Sequence, residues 1–559
     1  MINNHTKLIS FIIATIIALC TVPGLSNNHL SALIPLNNPV YTLIDNMPLP
    51  PRVNNISLTS RPLSAIDIRV VLTYALQNCS ATDSSVIKSH LSRLDSIDTR
   101  LAMINLSLDS NRIFAYPTFT TTIAGGDSNF SERGYTNFAI DSLSHQKEAY
   151  NYTALGGVIE SQLFGSLYLH ASGRIITEYS SARLWLKEMN PRLGINHTTI
   201  LSPRGQSGHF IGYDDFQCYA YIPLKAIRIT AGVNSPAWGA QNNSGLLLSG
   251  NAPPFFNIKA QTTLGLLSYE FIWGHLLANT YTDVRMMYAK RIGFAPIPSV
   301  NVAFNDMVLS INRPLEPYYL IPFIPYYFLE HYIGDKDNRI MSFEGEWLVN
   351  RSIAAYGELV IDDVSNMLGI FKNVDANDKW GGLIGVKWFN PIPRVHSVAR
   401  IEVLNIEPWT YTTSSRLGDS TGNQPVHFGA LLGSLYGPHS LMGRAELQAS
   451  PTPELSVNAS IEFLQKGKGP GSLVSDRNEF VRDTIITQNG SVSDTTFQNR
   501  QATPTKDGYR FVSFSRERFM ITGGANYSIG NNLMVALSGT IAVEQTVYWQ
   551  AGVSVRVNY

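Results

Sequence analysis

Charge is what this sequence has least of: Asp, Glu, Lys and Arg make up 15% of its 559 residues, against roughly 25% in an average soluble domain. Long apolar runs are scarce as well. Beyond residue 26 no segment offers the ~20 uninterrupted apolar residues that a spanning helix needs. The 42 basic residues balance the 42 acidic ones, so no global field favours nucleic acid. Three cysteines exclude a disulfide scaffold and a cysteine-built zinc site. Neither a G-x-S-x-G elbow nor an H-E-x-x-H pair occurs, which weighs against a hydrolase. No enzyme activity, cofactor or metal centre is expected. What remains is 44% hydrophobic and 11% aromatic, too apolar for disorder. A membrane chain without membrane helices leaves the β-barrel as the class to test.

The first residues name a compartment. Lys7 precedes an apolar run from Leu8 to Cys20, Pro23 breaks it, and Gly24-Leu25-Ser26 supplies a small-x-small site. That is the build of a signal peptide, 1–26, with the mature chain beginning at Asn27. Ser64 stands ahead of a helically spaced set, Ile66, Val70, Val71, Tyr74 and Ala75, and a second set, Val86, Ile87, Leu91 and Leu94, follows Asp83. These predict a helical periplasmic region within 27–110, ahead of a barrel over 111–559.

The barrel signal is alternation with period two, sustained over about ten residues. Leu441, Gly443, Ala445, Leu447 and Ala449 alternate with Arg444, Glu446, Gln448 and Ser450. After a Pro-Thr-Pro turn, Leu455, Val457, Ala459, Ile461 and Phe463 oppose Ser456, Asn458, Ser460 and Glu462. The last strand sets Val553, Val555, Val557 and Tyr559 against Ser554, Arg556 and Asn558. The terminal Tyr559 matches the ending read by the barrel insertion machinery. Counting strands backward places the polar stretch 465–516 outside, with 407–439, 364–380 and 312–338, and makes 390–397, 450–454 and 528–532 periplasmic turns. The aromatic run 314–329 carries Pro317, Pro322 and Pro325, which predicts a packed loop rather than a helix, folded into the mouth.

One polar constellation is dense. Asp335, Asp337, Asn338, Asp362 and Asp363 fall at the outer ends of two successive strands, and Asp375 and Asp378 in the loop after the second, with Trp380 beside them. Carboxylates and amides share hydrogen bonds with sugar hydroxyls, and an aromatic face covers a pyranose. The same oxygens suit Ca²⁺, and a solvated rim is the plainer alternative. A second segment runs from Trp238 and Gly239 through Ser244, Gly245 and Ser249. It is too long for a periplasmic turn, and its glycines permit close backbone approach, so it is expected to form part of a plug between strands near 224–233 and 262–273.

That segment, Trp-Gly followed by Asn-Ser-Gly-Leu-Leu-Leu-Ser and Ala-Pro, resembles the signature of the capsule assembly Wzi family. So do Ser60-Arg61-Pro62-Leu63-Ser64, Asp337-Asn338, and Tyr356-Gly357-Glu358-Leu359-Val360-Ile361-Asp362-Asp363. The matches spread over about 55 to 400. Gly239-Ala240-Gln241 stands where the family more often has Gly-Pro-Gly, and Ala237 where it often has a basic residue. The resemblance implies an all-β transmembrane barrel of 16–18 antiparallel strands with a small N-terminal periplasmic helical subdomain. It also implies a monomer in the bacterial outer membrane, in contact with its lipid, that binds surface or capsular polysaccharide as a lectin. A porin and an outer-membrane hydrolase are the other classes to weigh.

Overall fold

The protein is described here from a computed structural model. It covers residues 33–34, 36, 38–96, 104–108, 111–127, 147–164, 166–180, 210–224, 226–239, 245–277, 284–313, 315–334, 336–363, 379–414, 424–428, 430–467, 477–478, 480–486, 492–499, 514–529, 533–543 and 547–557. Tyr559 and residues 1–26 lie outside these residues.

Eighteen long antiparallel strands close on themselves as a barrel. Closure is made by the last strand, Val547–Val557, whose Gln550 and Val557 sit opposite Gly126 and Phe119 of the first, Asn111–Asp127. A short strand, Ile104–Leu108, pairs with the lower part of that same edge. No barrel edge is left open, which is the condition for crossing a bilayer with strands.

The strand Lys379–Phe389 shows how the sequence selects its two faces. Ile384, Val386 and Trp388 are 68%, 47% and 54% exposed, whereas Leu383, Lys387 and Phe389 between them are buried. The first set faces outward as the apolar band of a membrane barrel and the second faces the lumen. Short hairpins gather at one end, the periplasmic end of such barrels, and long connections at the other. The strands Ser440–Ser450 and Leu455–Gly467 fall where alternation puts them.

Two sequence expectations are corrected. The single strand expected near 262–273 is the end of Phe255–Leu264 and the start of Leu267–Leu277, joined at Gly265, whose φ of 57° suits a tight turn. The aromatic run is not a helix-free loop in the mouth. It contains a 3-10 turn, Pro317–Leu320, and a helix, Tyr326–Ile333, that starts directly after Pro325. Proline is tolerated at a helix start, where its missing N–H costs nothing. This segment packs on the outside of the wall.

Ahead of the barrel stand α1 (Pro39–Asp45), α2 (Ala65–Asn78) and α3 (Ala81–Ser96). The Ser64 side chain accepts from the Asp67 N–H at 3.1 Å and caps α2. Tyr41, Ile44, Ile68, Val71, Leu72 and Ile87 form one core among these helices. Arg61 ties the loop before α2 to α1 by two hydrogen bonds to Asp45, at 3.0 and 2.6 Å. Burial works to raise the Asp45 carboxyl, yet the Arg61 charge and hydrogen bonds hold it below its usual range.

Candidate functional site

The lumen is divided. On the side of the strands between Phe255 and Gly467 it is filled by chain. From the periplasmic end, Ser60 and Arg61 pair in register with Trp238 and Ala237, and the Gly239 N–H donates to Thr59 O at 2.9 Å. From the outer end, the 425–439 connection descends, so that the Ser249 N–H donates to Leu432 O at 2.8 Å and its hydroxyl to Gly433 O at 2.6 Å. Trp238, Leu246, Leu247, Leu248, Ile272, Met287, Leu309, Leu404 and Tyr411 make the apolar centre of this fill.

Carboxylates of the wall take up several polar groups of the fill, as burial demands. Glu270 accepts from the Trp238 indole N–H at 2.6 Å and from Ser60, with Lys259 Nζ 3.6 Å away. Glu358 accepts the N–H groups of Leu246 and Leu247 at 2.7 and 3.2 Å, while Arg291 pairs with Glu344 two strands away. Gly239 sits between these two carboxylates at a φ of 104°, with a Cβ position 3.6 Å from each, a backbone shape that favours glycine. Trp238, Gly239, Gly245 and Ser249 thus lie within the plug; Ser244 lies outside the described residues.

The acidic constellation is a different case, because its described members do not converge. Asp362 follows Val360 on the lumen face and accepts the Tyr411 N–H at 2.7 Å, fastening the 407–414 turn. Asp337 lies against the opposite face of the wall, where Arg313 pairs with it and the Tyr319 hydroxyl donates to it at 2.7 Å. Burial pushes the Asp337 carboxyl up, against the pull of both partners. Trp380 shares the outward parity of Ile384 and Trp388, the place of an interface aromatic. Asn338, on the lumen side, pairs with Leu309. Asp335, Asp375 and Asp378, and the side chain of Asp363, are outside what is described. Among the described residues no cluster of three metal-ligating groups forms.

Sequence reasoning passed over the other half of the lumen. Between α1–α3 and the strands of residues 111–217 and 448–557 lies a cavity of about 710 Å³ with a lining about half polar, inside the ~300–1,000 Å³ range of ordinary ligand sites. Thr118, Thr120, Ser172, Ser456 and Ser554 supply hydroxyls, and Gln217, Gln448, Asn458 and Asn526 supply amides. Arg174, paired to Asp215, and Arg556 supply charge. His170 lies flat on Tyr219, 4.8 Å between ring centres, with its Nε2 3.2 Å from the Ser172 hydroxyl. From α3, His90 enters the lining; burial first, then Arg93 and His396, lower it to about 4, so it is neutral at pH 7. The alternation that identified the strands also carried this signal, since Ser456, Asn458, Ser554 and Arg556 are its lumen-facing set.

No protein-family model matches the chain, and no curated protein matches it in sequence. Its fold is similar to that of solved structures. Wzi from Escherichia coli, an outer-membrane protein involved in group 1 capsule assembly and described as a carbohydrate-binding β-barrel, aligns with a TM-score of 0.57. The alignment has 12% identity and covers 95% of this chain and 99% of that one. The outer-membrane protein OprD from Pseudomonas aeruginosa aligns with a TM-score of 0.39 and 6% identity, over 82% of this chain and 94% of that one.

Proposed function

We propose that this chain is a bacterial outer-membrane barrel that binds surface or capsular polysaccharide without chemically altering it and helps attach or assemble it at the cell surface. The observation that carries the reading is the division of the lumen. One half is closed by a hydrogen-bonded plug, and the other is a cavity whose hydroxyls, amides and arginines suit sugar hydroxyls and acidic sugar groups. The likeness to a carbohydrate-binding barrel along nearly the whole of both chains supports the same reading. Gln217, Asn458, Arg174 and Arg556 are proposed as the contacts within the cavity. Asp335, Asp363, Asp375 and Asp378 remain proposed contacts at the outer face. The outer-membrane lipid and the insertion machinery are the other partners proposed, with the barrel acting as a monomer.

The polymer binds by many weak contacts that add by avidity along one strand. Gln217→Ala with Asn458→Ala and Arg556→Gln is therefore expected to release polymer into the medium, with total synthesis and barrel levels unchanged. Full retention of cell-bound polymer in that variant would remove the cavity from the site. A second reading, a solute channel, is favoured by the same cavity being polar and wide. It requires rapid swelling of liposomes that hold the barrel, in small neutral sugars. The plug reading expects slow swelling.

A further inference from the structure

The outer face of a membrane barrel is normally its most apolar surface, yet this one carries a charged stripe. Register aligns Phe271, Lys290, Asp306 and Met341 across four neighbouring strands, and Trp273, Tyr288, Val308 and Arg339 in the next row. The residues alternating with them, Ile272, Met287, Ala289, Met307 and Ile340, belong to the lumen core, so both rows face outward. On the same strands and the same face, Phe294 and Val302 are more than 40% exposed. Lys290, Asp306, Tyr288 and Val308, by contrast, are buried. Something covers them.

The cover is the segment Leu315–Gly334. Lys290 Nζ donates to the carbonyls of Ile321 and Ile324, at 2.6 and 3.1 Å, and lies 4.0 Å from the centre of the Tyr326 ring. Asp306 accepts the Tyr326 N–H at 2.7 Å and Arg339 Nε at 2.7 Å, so a carboxylate of the wall caps the helix Tyr326–Ile333. Tyr288, Tyr319 and Tyr326 pack ring against ring, at 5.1 and 5.3 Å, and Phe323 rests on Tyr269 at 4.6 Å. Tyr269 pairs with Ile292, whereas Arg285, at the outer end of that strand, pairs with Ile311. Those seven positions span roughly 23 Å along a tilted strand at ~3.3 Å per residue, so the segment descends well into the ~25 Å apolar band.

Its other side is the reverse of a soluble surface. Phe323, Phe328, Tyr327 and Tyr332 are 63%, 62%, 50% and 73% exposed, and Leu315 and Ile324 are open as well. The segment holds no Lys or Arg, and Glu330 is buried.

We propose that residues 315–334 are a membrane-embedded saddle: they replace lipid against the Lys290–Asp306–Arg339 stripe and present their aromatic side to the acyl chains of the outer leaflet. The saddle continues the lipid-facing band sideways over a place where the wall itself is polar. Charge on a lipid face is costly in a depth-dependent way. The saddle removes that cost by supplying carbonyls, a helix N-terminus and aromatic rings where acyl chains supply nothing. The inference rests on the barrel's crossing the membrane and is independent of what the lumen binds.

The test places a nitroxide on single cysteines in a Cys20→Ser, Cys79→Ser, Cys218→Ser background, at Phe328→Cys and Phe323→Cys. The barrel is held in phosphatidylethanolamine–phosphatidylglycerol vesicles, and collisions with oxygen and with a water-soluble nickel chelate are read. Ile384→Cys supplies the lipid reference, and Arg394→Cys, on an exposed hairpin, the aqueous one. The expected result is an oxygen-to-nickel ratio at 323 and 328 that matches 384. A ratio matching 394 overturns the proposal. So does low collision with both reagents, which would mean that another protein surface, not lipid, covers the saddle. Both positions are more than half exposed; Phe323→Cys also gives up the ring contact with Tyr269, so the reading at 328 decides where the two differ.

Discussion

At the scale of single residues the plug depends on carboxylates that hold backbone rather than ligand. Glu358 takes two buried N–H groups, those of Leu246 and Leu247. Glu358→Ala orphans both, at about 1–3 kcal/mol each. Hydrogen exchange at those amides is expected to speed up by orders of magnitude, with Glu358→Gln intermediate because it keeps one acceptor. Unchanged protection in the alanine variant would mean that the plug is held by its apolar centre alone. Asp362→Ala is expected to free the 407–414 turn in the same experiment. This reverses the view of Asp362 as a solvated sugar contact. The sequence placed Asp337, Asn338 and Asp362 at strand ends, but it did not say which side of the wall each one faces. Parity from Ile384, Val386 and Trp388 places Trp380 outward, so that part was readable; the Tyr319–Asp337 contact was not, because it depends on where a distant loop comes to rest.

At the scale of elements, legibility followed what lies on each face. The strands Ser440–Ser450 and Leu455–Gly467 read clearly because their lumen side is polar: Arg444, Glu446 and Gln448 on one, Ser456, Asn458 and Glu462 on the other. Leu267–Leu277 did not, because Ile272 and Leu276 meet the plug while Tyr269 and Trp273 meet the saddle, so both faces are apolar and the period of two fades. The outer plug connection has its own signature, two buried histidines. His427 accepts the Leu277 N–H on Nδ1 at 3.0 Å, and burial, with His275 and Arg285 adding, lowers it to about 4. Burial and Lys466 lower His439 to about 4 as well. Once the connection is released, each would take up its proton near the ordinary 6.5. The released state therefore binds more protons between these values, and the docked connection loses up to about 1.4 kcal/mol per pH unit per histidine as pH falls from about 6.5 to about 4. Exchange at the Leu432 and Gly437 amides is expected to quicken over that window, after correction for the intrinsic rate, while the strand Lys379–Phe389 is unaffected. Equal protection at pH 7 and pH 4.5 would contradict the neutral-histidine account.

At the scale of the whole molecule, one barrel wall separates three environments: an apolar plug, a polar cavity and a lipid face patched by its own saddle. The closed strand topology excludes a soluble sandwich, and the plug separates this chain from a wide open pore. The claim at the centre of the account is that the polar half of the lumen holds glycan. The most direct measurement is calorimetric titration of the purified barrel with fragments of the host's surface polysaccharide, beside the Gln217→Ala, Asn458→Ala, Arg556→Gln variant. Saturable binding by the native barrel, strengthening with fragment length and lost in the variant at unchanged thermal stability, is the expected result. No heat with any fragment, or equal binding by both proteins, would contradict it.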